Sequence, residues 1–254
     1  MSRRKPKQSP GEAAAETPGG VGGPEDGKAK EGGLKENLRS LAVAVVLFLI
    51  LRSFVLQTFF ITSGSMEDSL LVGDFLVVNR AAIGSNFPIT GWRIPGYSEP
   101  RRGDILVFDP PHEPDLKLVK RLIGLPGDTL EMRDRVLYLN GEPQEEPYLK
   151  ITGLQDNSDP WMVWQTAYLA PGTDPSTYRP TRDDWGPLVI PEDRYFMLGD
   201  NRDESLDSRY WGLLEGWRLE GRASFIYFSY NRESYRPLAW LREVRWGRIF
   251  NGID

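Results

Sequence analysis

Ile61-Thr62-Ser63-Gly64-Ser65-Met66 sets two hydroxyls on either side of a glycine. A tight turn of this kind can expose a serine nucleophile and aim backbone N–H groups at an oxyanion, although Ser-Gly-Ser is also a common loop sequence. A serine needs a base, and the chain restricts the choice. It has no cysteine and one histidine. Disulfides, zinc–thiolate sites and cysteine-protease chemistry are therefore excluded, and a site of several histidine ligands cannot be built. His112 lies in Asp109-Pro110-Pro111-His112-Glu113-Pro114-Asp115, which reads as an exposed, solvated loop and a poor partner for Ser65.

A lysine is the other candidate. In Leu116-Lys117-Leu118-Val119-Lys120-Arg121-Leu122-Ile123-Gly124, strand alternation over 116–123 puts Lys120 on one face with Leu116, Leu118 and Leu122. An ammonium group turned toward leucines is desolvated, its pKa falls, and it can serve as a neutral base. Taken alone, the same pattern also describes a lysine snorkelling from a sheet edge. A third polar cluster runs from Gly199 to Arg209 (GDNRDESLDSR). A buried lysine base needs a hydrogen-bond partner to fix its lone pair, and a serine hydroxyl from such a loop would serve. Asp207 and Arg209 could pair to hold the loop rigid.

The elements that must position these groups follow from the rest of the chain. Its 254 residues suffice for one large domain with a smaller insertion. A net charge of −5 without a long basic block argues against nucleic acid as a partner. Residues 1–36, rich in Gly, Pro, Ala, Lys and Glu, are expected to be disordered. Leu41–Leu51 is an unbroken apolar run of 11 residues, too short at about 1.5 Å per residue to cross roughly 30 Å of hydrocarbon. Extended over 37–56 it reaches the needed length, with Arg52 able to snorkel at one end. No small-x-small cleavage site follows the run, so an uncleaved signal anchor is favoured over a cleaved signal peptide or a core helix. The N-terminal Lys and Arg residues then put the N-terminus in the cytoplasm and the folded region outside. Ser65 lies 13 residues past Arg52, within about 45 Å even when fully extended.

Beyond residue 60, short apolar and β-branched runs alternate with turn signals such as Pro126-Gly127-Asp128 and Asn140-Gly141. The expected fold is mainly β, antiparallel sheets forming a partly open barrel-like catalytic domain over 57–141 and 188–254. Residues 142–187, with several prolines and with Trp161, Trp164 and Trp185, read as an inserted cap, the tryptophans forming its small core.

Together the clusters resemble the bacterial type I signal peptidases, a serine–lysine dyad family, from about residue 40 to 230. Ser63-Gly64-Ser65-Met66 is similar to that family's serine box and Arg102–Phe108 to its substrate-strand box. Lys120-Arg121 leading into Gly124-Leu125-Pro126-Gly127-Asp128 is similar to its lysine box, and Gly199–Arg209 matches its final box almost letter for letter. The resemblance implies Ser65 as nucleophile, Lys120 as general base and Ser205 as the hydroxyl orienting Lys120. It also implies an oxyanion hole from the Ser63 side chain and the Ser65 N–H, with Asp207 and Arg209 as a supporting ion pair. Ile61, Met66, Leu118 and Val119 would line shallow substrate pockets. The implied substrates are exported preproteins with small residues at the first and third positions before the cut, bound as an added strand along 103–108 and the segment before Ser65. The implied location is the outer face of the bacterial cell membrane, with the lipid bilayer as a partner, no cofactor and no metal. Thr62 stands where relatives often carry proline, and Asp68-Ser69 where they carry Pro-Thr.

Two rivals share parts of this pattern. A self-cleaving repressor of the LexA type uses the same dyad but carries a DNA-binding helix-turn-helix where this chain has an apolar span. A non-catalytic membrane-anchored β domain would have no need for Ser65, Lys120 and Ser205 together.

Overall fold

The computed structural model describes residues 28–86, 93–113, 115–153 and 156–253. Helix α1 (Lys28–Phe54) is followed at once by strand β1 (Leu56–Phe60), then β2 (Asp74–Asn79), the single turn α2 (Arg80–Ile83) and the strands β3 (Gly84–Asn86) and β4 (Arg93–Pro95). Next come β5 (Ile105–Phe108), β6 (Leu118–Gly124), β7 (Thr129–Arg133), β8 (Val136–Leu139) and β9 (Glu142–Pro143). A 3-10 helix (Pro160–Tyr168) precedes β10 (Trp185–Val189), β11 (Arg194–Leu198), the turn α3 (Ser208–Trp211), β12 (Leu214–Glu215) and β13 (Leu219–Ser229).

The expected mainly β, antiparallel character holds throughout. Seven strands form one sheet in the order β1-β2-β13-β5-β6-β11-β12, and four form a second in the order β10-β7-β8-β9. Strand β5, with sequence ILVF, shows why its run has no polar alternation: it is buried on both faces. Ile105 and Val107 enter one core cluster with Leu76, Val78 and Ile226, whereas Leu106 and Phe108 enter another with Leu122, Met197 and Leu219. Asn140 and Gly141, at φ 52° and 88°, make the two-residue hairpin turn between β8 and β9 that their sequence announces.

Several expectations need correction. Residues 1–27 lie outside the described residues, but Lys28–Glu36, expected to be disordered, is helical. Its Lys, Ala, Glu and Leu residues are good helix formers and extend the helix that the apolar run nucleates. Among the described residues no helix is long and apolar enough to cross a membrane. The described apolar side chains of α1, from Leu38 to Leu49, are nonetheless exposed.

The strand holding Lys120 begins at Leu118, not Leu116, which is exposed ahead of it. The cap segment also has less independence than its composition implies. Its ends, β9 and the start of β10, belong to the second sheet with β7 and β8. Trp185 is buried and stacks on Phe196 of β11, with ring centroids 5.0 Å apart, while Trp161 is exposed. The tryptophans therefore do not form a separate core. His112 is half-buried against Trp211 and Trp161 instead of being freely solvated, and burial pushes its pKa down.

Candidate active site

Ser65 sits in the connection between β1 and β2. The Ile61 N–H donates to the Asp74 carbonyl at 2.9 Å and the Gly73 N–H to the Ile61 carbonyl at 3.0 Å, closing the base of this loop. Met66 and Leu70, both buried, pin its far side in the core beneath β2. Gly64 has an ordinary backbone conformation, and a Cβ there would meet its neighbours at 3.5 Å or more. The glycine of Ser-Gly-Ser is therefore not required by the turn. Ser65 is buried, and Lys120, from β6, is only 2% exposed. Lys120 Nζ lies 2.5 Å from Ser65 Oγ. Burial lowers the Lys120 pKa to about 8, against Asp207 and Asp200, which raise it, and with a smaller lowering by Arg209. Ser63 Oγ, exposed, is 3.5 Å from Ser65 Oγ. His112 has no contact with either serine among the described residues.

The loop after β11 closes over the pair. Asp207 and Arg209 form an ion pair at 2.8 Å with both side chains wholly buried. Burial alone would raise the Asp207 carboxyl, and Arg209 overcomes it, so its pKa is lowered. Asp207 also accepts the Gly199 N–H at 3.1 Å and caps α3 by accepting from the Arg209 N–H. Asn201 donates from its N–H to the Ser65 carbonyl and from Nδ2 to the Gly64 carbonyl, each at 3.2 Å. The Ser65 N–H is left without a partner among the described residues. Ser205 is buried, but no hydrogen bond joins it to Lys120. It reaches the site through Gly199, where a Cβ would fall 2.2 Å from Ser205 Oγ and 2.5 Å from the Ser65 carbonyl oxygen.

Sequence reasoning missed a second buried pair. Arg121 faces away from Lys120 by strand alternation, and its Nε and Nη2 grip the two oxygens of Asp200 at 2.9 Å each. Arg121 also donates to the Gly103 carbonyl at 2.8 Å and lies 3.9 Å over the Tyr148 ring. Ser69 Oγ donates to Asp200 at 2.6 Å, so one of the two departures at Asp68-Ser69 is part of this network. Asp68 has φ 81°, a conformation closed to proline. The available signal was the Lys120-Arg121 doublet in an otherwise apolar strand, where one cation pointing to each face calls for an acid.

The four residues expected to line substrate pockets divide. Ile61, Met66 and Val119 share one cluster, while Leu118 packs in the cluster on the other side of the sheet. The expected substrate strand along 103–108 is also excluded. Both edges of β5 are occupied, by β13 and by β6, because β5 is the central strand of the seven-stranded sheet. Two stretches near Ser65 keep free edges: Thr62-Ser63, and Leu118–Lys120 on the side away from β5, since β11 pairs with β6 only from Arg121 onward. Among the described residues no group of acids and histidines could hold a metal ion.

Comparison with known proteins agrees over most of the chain. The model of the family described as signal peptidase, peptidase S26, matches residues 34–228. Signal peptidase I of Pseudomonas aeruginosa is 35% identical over 218 residues, covering 79% of this chain and 75% of its own. Signal peptidase I of Bacillus licheniformis is 34% identical over 203 residues, covering 80% and 92%. Among solved structures, a signal peptidase I from Enterococcus faecalis aligns with 49% of this chain and 97% of its own at 34% identity, with a TM-score of 0.34.

Proposed function

The chain belongs to the signal peptidase family, peptidase S26, and is a serine endopeptidase that removes signal peptides; on that premise we propose that Ser65 is its nucleophile and Lys120 its general base. The observation that carries the proposal is the 2.5 Å approach of a buried lysine nitrogen, with a pKa of about 8, to the serine oxygen.

Neutral Lys120 takes the Oγ proton as Ser65 attacks the scissile carbonyl. The oxyanion is met by the free Ser65 N–H and the nearby Ser63 hydroxyl. The C–N bond breaks, the Lys120 ammonium returns its proton to the leaving amine, and the mature protein departs. As water attacks the ester, Lys120 takes a proton from it and gives that proton to the departing Ser65 Oγ, and the released signal-peptide acid ionises to a carboxylate in solution. Asn201 holds the Ser65 carbonyl, and Asp207 with Arg209 keeps the loop around Lys120 rigid.

The substrate docks as an extended strand between the free edges of Thr62-Ser63 and Leu118–Lys120. Ile61 and Met66 are buried beneath these edges in one cluster with Val119, an arrangement suited to small substrate side chains. This supports a preference for small residues at the first and third positions before the cut in exported preproteins. Ser205 acts by packing on Gly199, and Leu118 contributes through the backbone more than through a pocket.

The exposed apolar length of α1, with its flanking arginines, supports a single membrane anchor over about 37–56, with the catalytic region on the outer face. Exposed Tyr235, Trp240, Trp246 and Phe250 among arginines are the composition of a bilayer interface.

Incubation of detergent-solubilised protein with a preprotein, followed by N-terminal sequencing of the product, tests the scheme. Cleavage is expected from the native chain and none from Ser65→Ala. Full activity in Lys120→Met would remove the lysine from the mechanism.

A further inference from the structure

The segment between β9 and β10 reaches the loop 199–209 from one side with polar groups that solvent does not share. Glu146, with a side chain 4% exposed, grips Arg202 with both carboxylate oxygens, one of them 3.1 Å from Nη1. Arg202 Nε donates to the Gly199 carbonyl at 3.1 Å, and the Arg202 carbonyl accepts from Arg209 Nη2 at 2.7 Å. Gln165, in the 3-10 helix, is wholly buried. Its Nε2 donates to the Arg209 carbonyl at 3.0 Å, and its Oε1 accepts from the Tyr178 hydroxyl at 2.5 Å. That hydroxyl accepts in turn from the Gly186 N–H at 2.7 Å, so the amide is fixed at both ends. Between these two ties the backbone of Lys150 exchanges hydrogen bonds with Asp200 and Arg202, at 2.9 and 3.1 Å.

A segment that only covered the site could do so with apolar side chains and avoid the desolvation of a carboxylate and an amide. Buried, fully satisfied polar ties instead fix one arrangement of the groups they join. Both ties end on atoms that set the catalytic pair. Gly199 touches the Ser65 carbonyl and Ser205, and Arg209 holds Asp207.

We propose that the inserted segment is a positioning clamp, in which Glu146 holds Gly199 against Ser65 through Arg202, and Gln165 holds the Arg209–Asp207 pair that faces Lys120. Neither residue touches substrate. The inference rests on the reading of Ser65 and Lys120 as the reacting pair.

The charged groups whose fields reach Lys120 are Asp207, Asp200 and Arg209, and burial is the largest influence on its amine. Loosening the clamp admits water, the amine titrates at higher pH, and the acid limb of the kcat/KM profile moves up. A smaller amount of folded enzyme would instead scale the rate equally at every pH.

The test compares native full-length chain, Glu146→Gln and Gln165→Met in detergent, measuring kcat, KM and pH profile on one preprotein, with thermal melting as the control for folding. Each variant is expected to lose kcat by about 10- to 100-fold near neutral pH, with KM little changed and the acid limb shifted upward. Should Glu146→Gln fail to fold, Gln165→Met and the milder Glu146→Asp carry the same measurement. A native chain that does not cleave sinks the reading of the site itself. A native chain that cleaves, beside folded variants with an unmoved acid limb, sinks the clamp alone.

Discussion

With a pKa of about 8, Lys120 is mostly protonated at neutral pH, and only its neutral fraction can accept the Ser65 proton. The rate should therefore rise with pH through about 8, the same direction as for a carboxylate base but several pH units higher. A profile of kcat/KM on a preprotein that stays flat from about pH 6 to about pH 9 would remove Lys120 as the base. Lys120→Arg keeps the charge but cannot release a proton, so it should lose several orders of magnitude, as Ser65→Ala does. Gly199→Ala should also be inactive, because the new Cβ would fall 2.5 Å from the Ser65 carbonyl oxygen, which is backbone and cannot swing aside. Overpacking of this kind costs about 1–3 kcal/mol, so a lowered melting temperature should accompany the lost activity. The burial of Lys120 beside Ser65 was legible only when its apolar strand was read together with the serine cluster and the badly placed histidine, because the strand pattern alone also fits a lysine snorkelling from a sheet edge. Gly199 was not. Its need arises from Ser65 and Ser205, neighbours brought to it by the fold, and nothing adjacent in sequence announces them.

Among the elements, β6 carries most of the candidate site, since it brings Lys120 to Ser65 and Arg121 to Asp200. The Arg121–Asp200 pair is buried on both sides, so Asp200→Asn would leave a guanidinium charge in the interior without its partner. A loss of about 3–5 kcal/mol is expected, read as a lower urea midpoint at unchanged slope. An equal midpoint in the variant would mean that water reaches Arg121. The strands DFLVVN, ILVF and VLYL were legible as short β-branched or apolar runs, and the Asn140-Gly141 turn as a hairpin. Their neighbours in the sheet were not legible, because pairing is decided by distant segments. A four-residue apolar run reads equally as an open edge or as a central strand, so nothing in it opposed the placement of substrate along 103–108 that the family resemblance implied. Two-residue strands such as β9 and β12 leave no periodicity to find, which is why the boundaries of the cap fell inside a sheet.

For the molecule as a whole, the anchor and the catalytic body should separate cleanly just ahead of Leu56. Full-length chain is expected to stay in the membrane pellet after an alkaline carbonate wash, and a chain beginning at Leu56 to be released by it while still cleaving preprotein in detergent. Extraction of the full-length chain by the same wash would argue that α1 does not span the bilayer.

The sheet order also bears on how the enzyme is made. Strand β13 is the last strand in the chain, yet it lies between β2 and β5 in the seven-stranded sheet. Until residues 219–229 have been synthesised, those two strands have nothing between them, and the framework that brings Ser65 to Lys120 cannot close. The seven-stranded sheet is therefore completed only when nearly the whole chain has been made, although the four-stranded sheet has all its strands well before then. On the proposed reading of Ser65 and Lys120, a chain still lacking that strand should cleave no preprotein, which a truncation ending before Leu219 would check.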